Sequence, residues 1–193
     1  MAPGDAAFAP LMAATVRLLL ISGSLRDRST TSAALRTAEQ VAPEGVIAER
    51  YDGLGRLPHF NPDDDGPTLP PAVVELRHRV READGLLFST PEYAGALPGS
   101  FKNLLDWLIG DDQPRSIYEK PVAWINASPR GARLAHDSLR AVLDYAHARV
   151  VEDANTDVGV SAADIGPDGT VAAADLRAAI AGAMARLATA VVS

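Results

Sequence analysis

The stretch that most constrains this chain is Leu18 to Thr31, where the apolar run Leu18-Leu19-Leu20-Ile21 stops at Gly23 and gives way to Ser24, Arg26, Arg28, Ser29, Thr30 and Thr31. A short apolar run without alternation is the pattern of a parallel-sheet strand covered on both faces. Gly23 frees the backbone to turn out of it. Beyond the hydroxyls, Ala34, Leu35, Ala38, Val41 and Ala42 recur at helical spacing. Loop N–H groups and a helix N-terminus therefore aim at one point, which is the physics of a phosphate site. The loop is neither G-x-G-x-x-G nor G-x-x-x-x-G-K-[ST], so hydroxyls, backbone amides and Arg26 would do the holding. The same residues also suit a plainer role, a capped helix in which Ser and Thr are only N-caps. This stretch alone leaves the two readings open.

Further along, apolar runs alternate with helical patterns. Val46 to Tyr51 predicts a second strand, and Asp52 to Pro71 a long surface loop carrying His59, Phe60, Asn61 and Asp63-Asp64-Asp65. Loops of this length in compact domains tend to be functional or mobile. The three carboxylates read as a solvated acidic turn rather than a metal site, since neighbouring like charges repel and no metal-ligand spacing accompanies them. His59 beside Phe60 reads as a packed loop residue. Pro70-Pro71 opens a helix carrying Val73, Val74, Leu76, Val80 and Ala83, its charges reading as a solvated face. A third strand from Gly85 then ends in the polar loop Thr90 to Gly95. Ligands in open parallel sheets bind beyond the carboxyl ends of the strands, so the two polar loops should meet there.

The second loop is the more specific signal. Between strand and helix lie Tyr93, Ala94, Gly95 and Ala96, a flat, backbone-rich surface on which a planar ring could lie. Pro98 fits the first helical position, and Phe101, Leu104, Leu105 and Leu108 form a buried stripe. Lys120 to Ala127 predicts a fourth strand and Leu134 to His147 a helix. A short fifth strand follows at Arg149 to Asn155, and a last amphipathic helix at Ala172 to Val192. His78, His136 and His147 fall in helical patterns without partner motifs and read as structural or exposed.

Taken together, Gly23-Ser-Leu-Arg-x-x-Ser and Thr90-Pro-Glu-Tyr-x-Gly-x-x-Pro-Gly-x-x-Lys-Asn-x-x-Asp-Trp resemble the NADPH-dependent FMN reductase family, in order from about Arg17 to Ala148. The resemblance implies an α/β fold of flavodoxin-like type: a three-layer sandwich with a five-stranded parallel sheet, order 2-1-3-4-5, and helices on both faces. Carried over by position, Ser24, Arg26 and Ser29 become phosphate ligands and Pro91, Glu92, Tyr93 and Gly95 ring contacts. Thr31 and Ala94 stand where the family usually carries Asn. A hydroxyl at 31 still serves a phosphate, whereas a methyl at 94 brings no amide to ring or acceptor. Ser128-Pro-Arg-Gly-Ala-Arg resembles the family's third flavin loop, which adds Ser128 and Gly131.

The implied cofactors are FMN and NADPH. Flavin N5 takes hydride itself, so no catalytic side chain and no metal is required. The acceptor would be free flavin, a quinone, an azo dye or a metal oxyanion, and Arg26, Arg28, Arg130 and Arg133 are candidates for the NADPH 2′-phosphate. The family resemblance and the Phe101 to Ile109 helix suggest a homodimer or homotetramer. Two rivals remain: a flavodoxin-type FMN electron carrier without pyridine-nucleotide activity, and an acyl hydrolase with Ser24 as nucleophile and His136 as an unpaired base. Zero cysteines among 193 residues exclude disulfides, thiolate metal sites and cysteine nucleophiles. The net charge of −7 argues against a nucleic-acid partner. Met1 to Thr15, with Asp5 its one charge, reads as a disordered leader before one domain at 16–193. No apolar run reaches the roughly 18 residues of a membrane span, and the n-region of a secretory signal is lacking, which predicts a cytoplasmic protein.

Overall fold

A computed structural model describes residues 15–193, so all but the last residue of the expected leader Met1 to Thr15 lies outside the described residues. The first apolar run forms β1 (Val16–Ser22) at the middle of a parallel sheet. On one side it pairs with β2 (Val46–Tyr51), Leu20 opposite Arg50; on the other with β3 (Gly85–Ser89), Leu20 opposite Leu87. Then come β4 (Pro121–Asn126) and β5 (Arg149–Val150), giving the order β2-β1-β3-β4-β5 of a flavodoxin-like α/β fold. Leu18, Leu20, Ile21, Leu86, Leu87 and Phe88 are at most 1% exposed, as strands covered on both faces require.

Two apolar layers flank the sheet. Leu19, Ile21, Leu86 and Phe88 point to α2 (Pro71–Glu82), α3 (Gly99–Ile109) and α4 (Arg133–Tyr145). Leu18, Leu20, Leu87 and Ile125 point the other way, to α1 (Thr30–Gln40) and α5 (Ala174–Val192). Among the described residues no helix is long and apolar enough to cross a membrane.

Several expectations need correcting. The fifth strand does not run from Arg149 to Asn155: after Val150 the chain tightens into a 3-10 turn at Glu152–Ala154, and β6 (Thr156–Asp157) rejoins β4 further along. The Asn155 side chain covers the break, its Oδ1 accepting the Trp124 N–H at 3.0 Å. Pro98 precedes α3 instead of opening it, with ψ at 138°, outside the helical range. The α2 charges are not all solvated. Arg77 is buried, donating to the Trp107 carbonyl at the end of α3 and to Asp65 at 2.9 Å. Asp65 is thus an ion-pair partner, not part of a free acidic turn. In the same loop His59 is exposed and Phe60 does the packing, edge-on to Trp107, while the Trp107 indole donates to the Pro58 carbonyl.

At the amino-terminal end of the sheet, just before β4, Lys120 is almost fully buried, and its Nζ donates to the Ala83 carbonyl just past α2 at 2.6 Å. Arg115 nearby pairs with Asp84 at 2.9 Å.

Candidate active site

The loop after β1 is ordered by its own hydroxyls. Ser22 Oγ accepts the Ser24 N–H and Ser24 Oγ accepts the Arg26 N–H, each at 3.2 Å. Ser29 caps α1, its Oγ accepting the Ser32 N–H at 3.0 Å and lying 3.0 Å from Thr31 Oγ1. The capped-helix reading is therefore correct, and it does not displace the anion reading. Thr30 and Thr31 are the first two helical residues, whose N–H groups have no carbonyl one turn back. Gly23 serves a purpose other than the turn. Its φ is not left-handed; instead, a Cβ there would stand 2.4 Å from Thr90 Oγ1 and 3.0 Å from Phe101. The glycine lets the first and second loops approach each other.

The second loop is ordered by its backbone. Tyr93 and Ala96 exchange both N–H···O bonds at 3.1 Å, and Ala94 (φ 51°) and Gly95 (φ 73°) form the two-residue turn between them. Two consecutive left-handed residues define the primed turn that matches strand twist. Gly95 is there for that φ: a Cβ would meet only Leu134, at an ordinary 3.5 Å. Ala94 is strained, since the left-handed region costs an L-residue about 1–2 kcal/mol, whereas Asn visits it readily. Glu92 reaches away from the turn, its Oε2 accepting the Ala135 N–H at 3.2 Å in the uncapped first turn of α4.

The third loop follows β4. Asn126 holds it from within, accepting from the Ser128 N–H at 3.1 Å and donating to the Gly131 carbonyl at 2.5 Å. Gly131 (φ 88°) and Ala132 (φ 42°) turn it into α4. His136 Nδ1 lies 2.8 Å from the Ala132 carbonyl, so that nitrogen carries the proton. Its Nε2 is buried without a partner among the described residues.

The three loops enclose one open cleft of about 480 Å³, within the size range of cofactor pockets. Of the residues expected there, Ser24, Arg26, Ser29, Thr31, Pro91, Glu92, Tyr93 and Ser128 line it; Ala94, Gly95 and Gly131 do not, and act through the turns they make. Of the arginines considered for a nucleotide phosphate, Arg26, Arg28 and Arg130 line it, while Arg133 points to solvent with its side chain 85% exposed. Sequence reasoning missed Pro129, Ala132, Ala162 and Ile165. Ser24 and His136 are not paired: their recorded partners are the Arg26 N–H and the Ala132 carbonyl. The charge balance decides what the cleft suits. In a chain of net −7, the charged side chains lining it are three arginines and one carboxylate, that of Glu92.

A basic cleft at the carboxyl end of a 2-1-3-4-5 sheet coincides with a match of residues 16–160 to the model of the NADPH-dependent FMN reductases. The chain belongs to the NADPH-dependent FMN reductase family. The reductase is 42% identical over 137 residues to the NAD(P)H-dependent FMN reductase PA1204 of Pseudomonas aeruginosa, covering 69% of this chain and 72% of that one. It is 32% identical over 145 residues to the quinone reductase of Escherichia coli, covering 72% and 76%. Among solved structures, the flavoenzyme NAD(P)H:(acceptor) oxidoreductase FerB of Paracoccus denitrificans superposes with a TM-score of 0.76 at 26% identity, over 89% of this chain and 97% of that one. The protein is an NAD(P)H-dependent oxidoreductase that uses FMN. Its donor set fits that cofactor. Hydroxyls, uncapped helix N–H groups and arginines suit a phosphate dianion, and the Tyr93 turn offers peptide surface to a ring.

Proposed function

We propose that Ser24, Arg26, Ser29 and Thr31 hold the phosphate of FMN, that Pro91, Glu92, Tyr93 and the turn at Ala94-Gly95 set the plane of its ring, and that Ser128 and the Gly131 turn close the third side. The excess of arginine in the cleft of an acidic chain carries this reading. FMN held by these residues would supply hydride transfer between a nicotinamide and an acceptor. The chain's own residues bind, orient and shield. Ser29 and Thr31 present hydroxyls beside the α1 N-terminus, Glu92 holds the ring loop against α4, and Tyr93, 47% exposed, stands at the rim where a second planar molecule would enter. The proposed acceptor is a small planar quinone or free flavin, consistent with the names of the relatives.

The same proposal includes a homodimer or homotetramer. Leu25, Tyr93 and Leu134 are exposed apolar side chains, each at or beside one of the three loops, and a second copy would cover them. Since NADPH is the reductant of the cell interior, we place the enzyme in the cytoplasm. The deciding experiment is a visible spectrum of protein loaded with FMN, followed by anaerobic NADPH titration and addition of a quinone. Bleaching of the flavin band by one equivalent of NADPH and its return on quinone addition are expected. A flavin band that NADPH leaves untouched would point instead to a carrier of flavodoxin type. Light scattering at micromolar concentration should give twice or four times the monomer mass.

A further inference from the structure

The cleft has a wall that none of the three loops supplies. Ala162 and Ile165 line it from a segment beyond residue 160, where the match to the family ends. The segment opens with a 3-10 turn at Ala162–Asp164, capped by Ser161, whose N–H and Oγ both bond Asp164 Oδ2, at 2.8 and 2.6 Å. It then doubles back: Gly166 N–H donates to the Thr170 carbonyl at 2.8 Å, Ala172 N–H to the Asp164 carbonyl at 2.7 Å, and Ile165 pairs with Val171. The hairpin is anchored to the helix that forms the anion pole. Val171 N–H donates to Thr37 Oγ1, buried on α1, at 2.8 Å. Arg36, also on α1, donates to the Asp27 carbonyl in the first loop and reaches the Gly169 carbonyl at the hairpin tip. Ile165 packs onto the core between α1 and α5 while presenting part of its side chain to the cleft.

We propose that this hairpin is a retaining wall that sets how fast FMN leaves, so that the flavin stays on the protein between turnovers instead of exchanging as a substrate. The inference rests on the FMN reading of the cleft. A wall fastened to α1 cannot swing aside while the phosphate pole stays in place. The flavin leaves through the open side of the cleft against the contacts of this fixed wall, so loosening the hairpin or its Thr37 anchor should speed release. The side chains it turns to the cleft are apolar, excluding water from that flank without offering the ligand a competing charge.

The test measures FMN release after dilution, by the return of flavin fluorescence, alongside the melting temperature of the apoprotein. Ile165→Ala should speed release by roughly tenfold, the effect expected when a half-buried side chain loses three carbons, only part of whose surface is covered. Thr37→Val, which keeps the helix and removes the anchor, should speed release in the same direction. Ala162→Glu at an exposed position leaves folding alone and places a carboxylate in the cleft, so FMN affinity should fall by about tenfold and riboflavin affinity by much less. If the unmutated protein quenches FMN and releases it at the same rate as Ile165→Ala and Thr37→Val, the wall is not what retains the flavin. If the unmutated protein does not quench FMN at all, the FMN reading itself is wrong, and this inference falls with it.

Discussion

The first loop and the Tyr93 turn border the same cleft, yet they are ordered by different parts of the chain. In the first, the hydroxyls of Ser22, Ser24 and Ser29 each accept an N–H within three residues, and the backbone follows the side chains. In the second, two reciprocal peptide hydrogen bonds and two left-handed residues set the shape, and side chains contribute little. A loop ordered by hydroxyls can exchange some of those bonds for a ligand's oxygens, so its substitutions should register in affinity. A loop ordered by φ has nothing to exchange, so its substitutions should register in stability.

The largest effect expected is on the side-chain loop. FMN should bind about a hundredfold more tightly than riboflavin, on the order of 3 kcal/mol for two effective charge-assisted bonds. Arg26→Ala and Ser29→Ala should each narrow that ratio in calorimetry, and equal affinities for the two flavins in the unmutated protein would refute the phosphate role. Gly23→Ala comes next, because its methyl would overlap Thr90, part of whose side chain lies 2.4 Å away. Overpacking of this kind costs about 1–3 kcal/mol, read as a lower urea midpoint. It should also weaken FMN, since the junction of both loops shifts. Gly95→Val should destabilise the apoprotein by about 1–2 kcal/mol through its left-handed φ, with no clash needed. An unchanged midpoint would mean that the turn can relax. The smallest effect is a gain: Ala94→Asn should raise stability by about 0.5 kcal/mol, because Asn tolerates the conformation that alanine resists. A drop in its place would break the contrast between the two loops.

Much of this was legible in the chain. Strands β1, β3 and β4 are largely apolar runs followed by Gly, Pro or hydroxyls, helix α1 carries its Ser29 cap in plain order, and α3 carries its apolar stripe. The lining residues Ser24, Ser29, Pro91, Glu92 and Ser128 sit just past the ends of strands, where an open parallel sheet presents them. What was hidden depends on distant partners. Nothing near Arg77 announces that the Trp107 carbonyl and Asp65 will bury it. Nothing in Val150-Val151 says that the strand stops there, since the fault is covered by the side chain of Asn155. Ala94 and Ala132 carry no sign of a positive φ, because the residue type that usually signals one is absent. The wall at Ala162 and Ile165 did leave a trace: Ser161-x-x-Asp164 has the spacing of a capping box, the signature of a helical start.

The lysine at the amino-terminal end of the sheet has a consequence in protons. Burial pushes the Lys120 ammonium down to about 8; Arg115 adds repulsion, and Asp84 opposes it only in part. Below that value Lys120 is charged in the folded and the unfolded chain alike, and folding bears the full cost of burying the charge. Between about 8 and the ordinary lysine value of 10.5 the unfolded chain keeps its proton while the folded one has released it. The unfolded state then binds more protons, so this one residue makes the protein more stable as the solution becomes alkaline. Its amine would be partly neutral in mildly basic solution, still donating to the Ala83 carbonyl. The amino-terminal end of the sheet, remote from the cleft, therefore carries a group that titrates near the upper end of the physiological range.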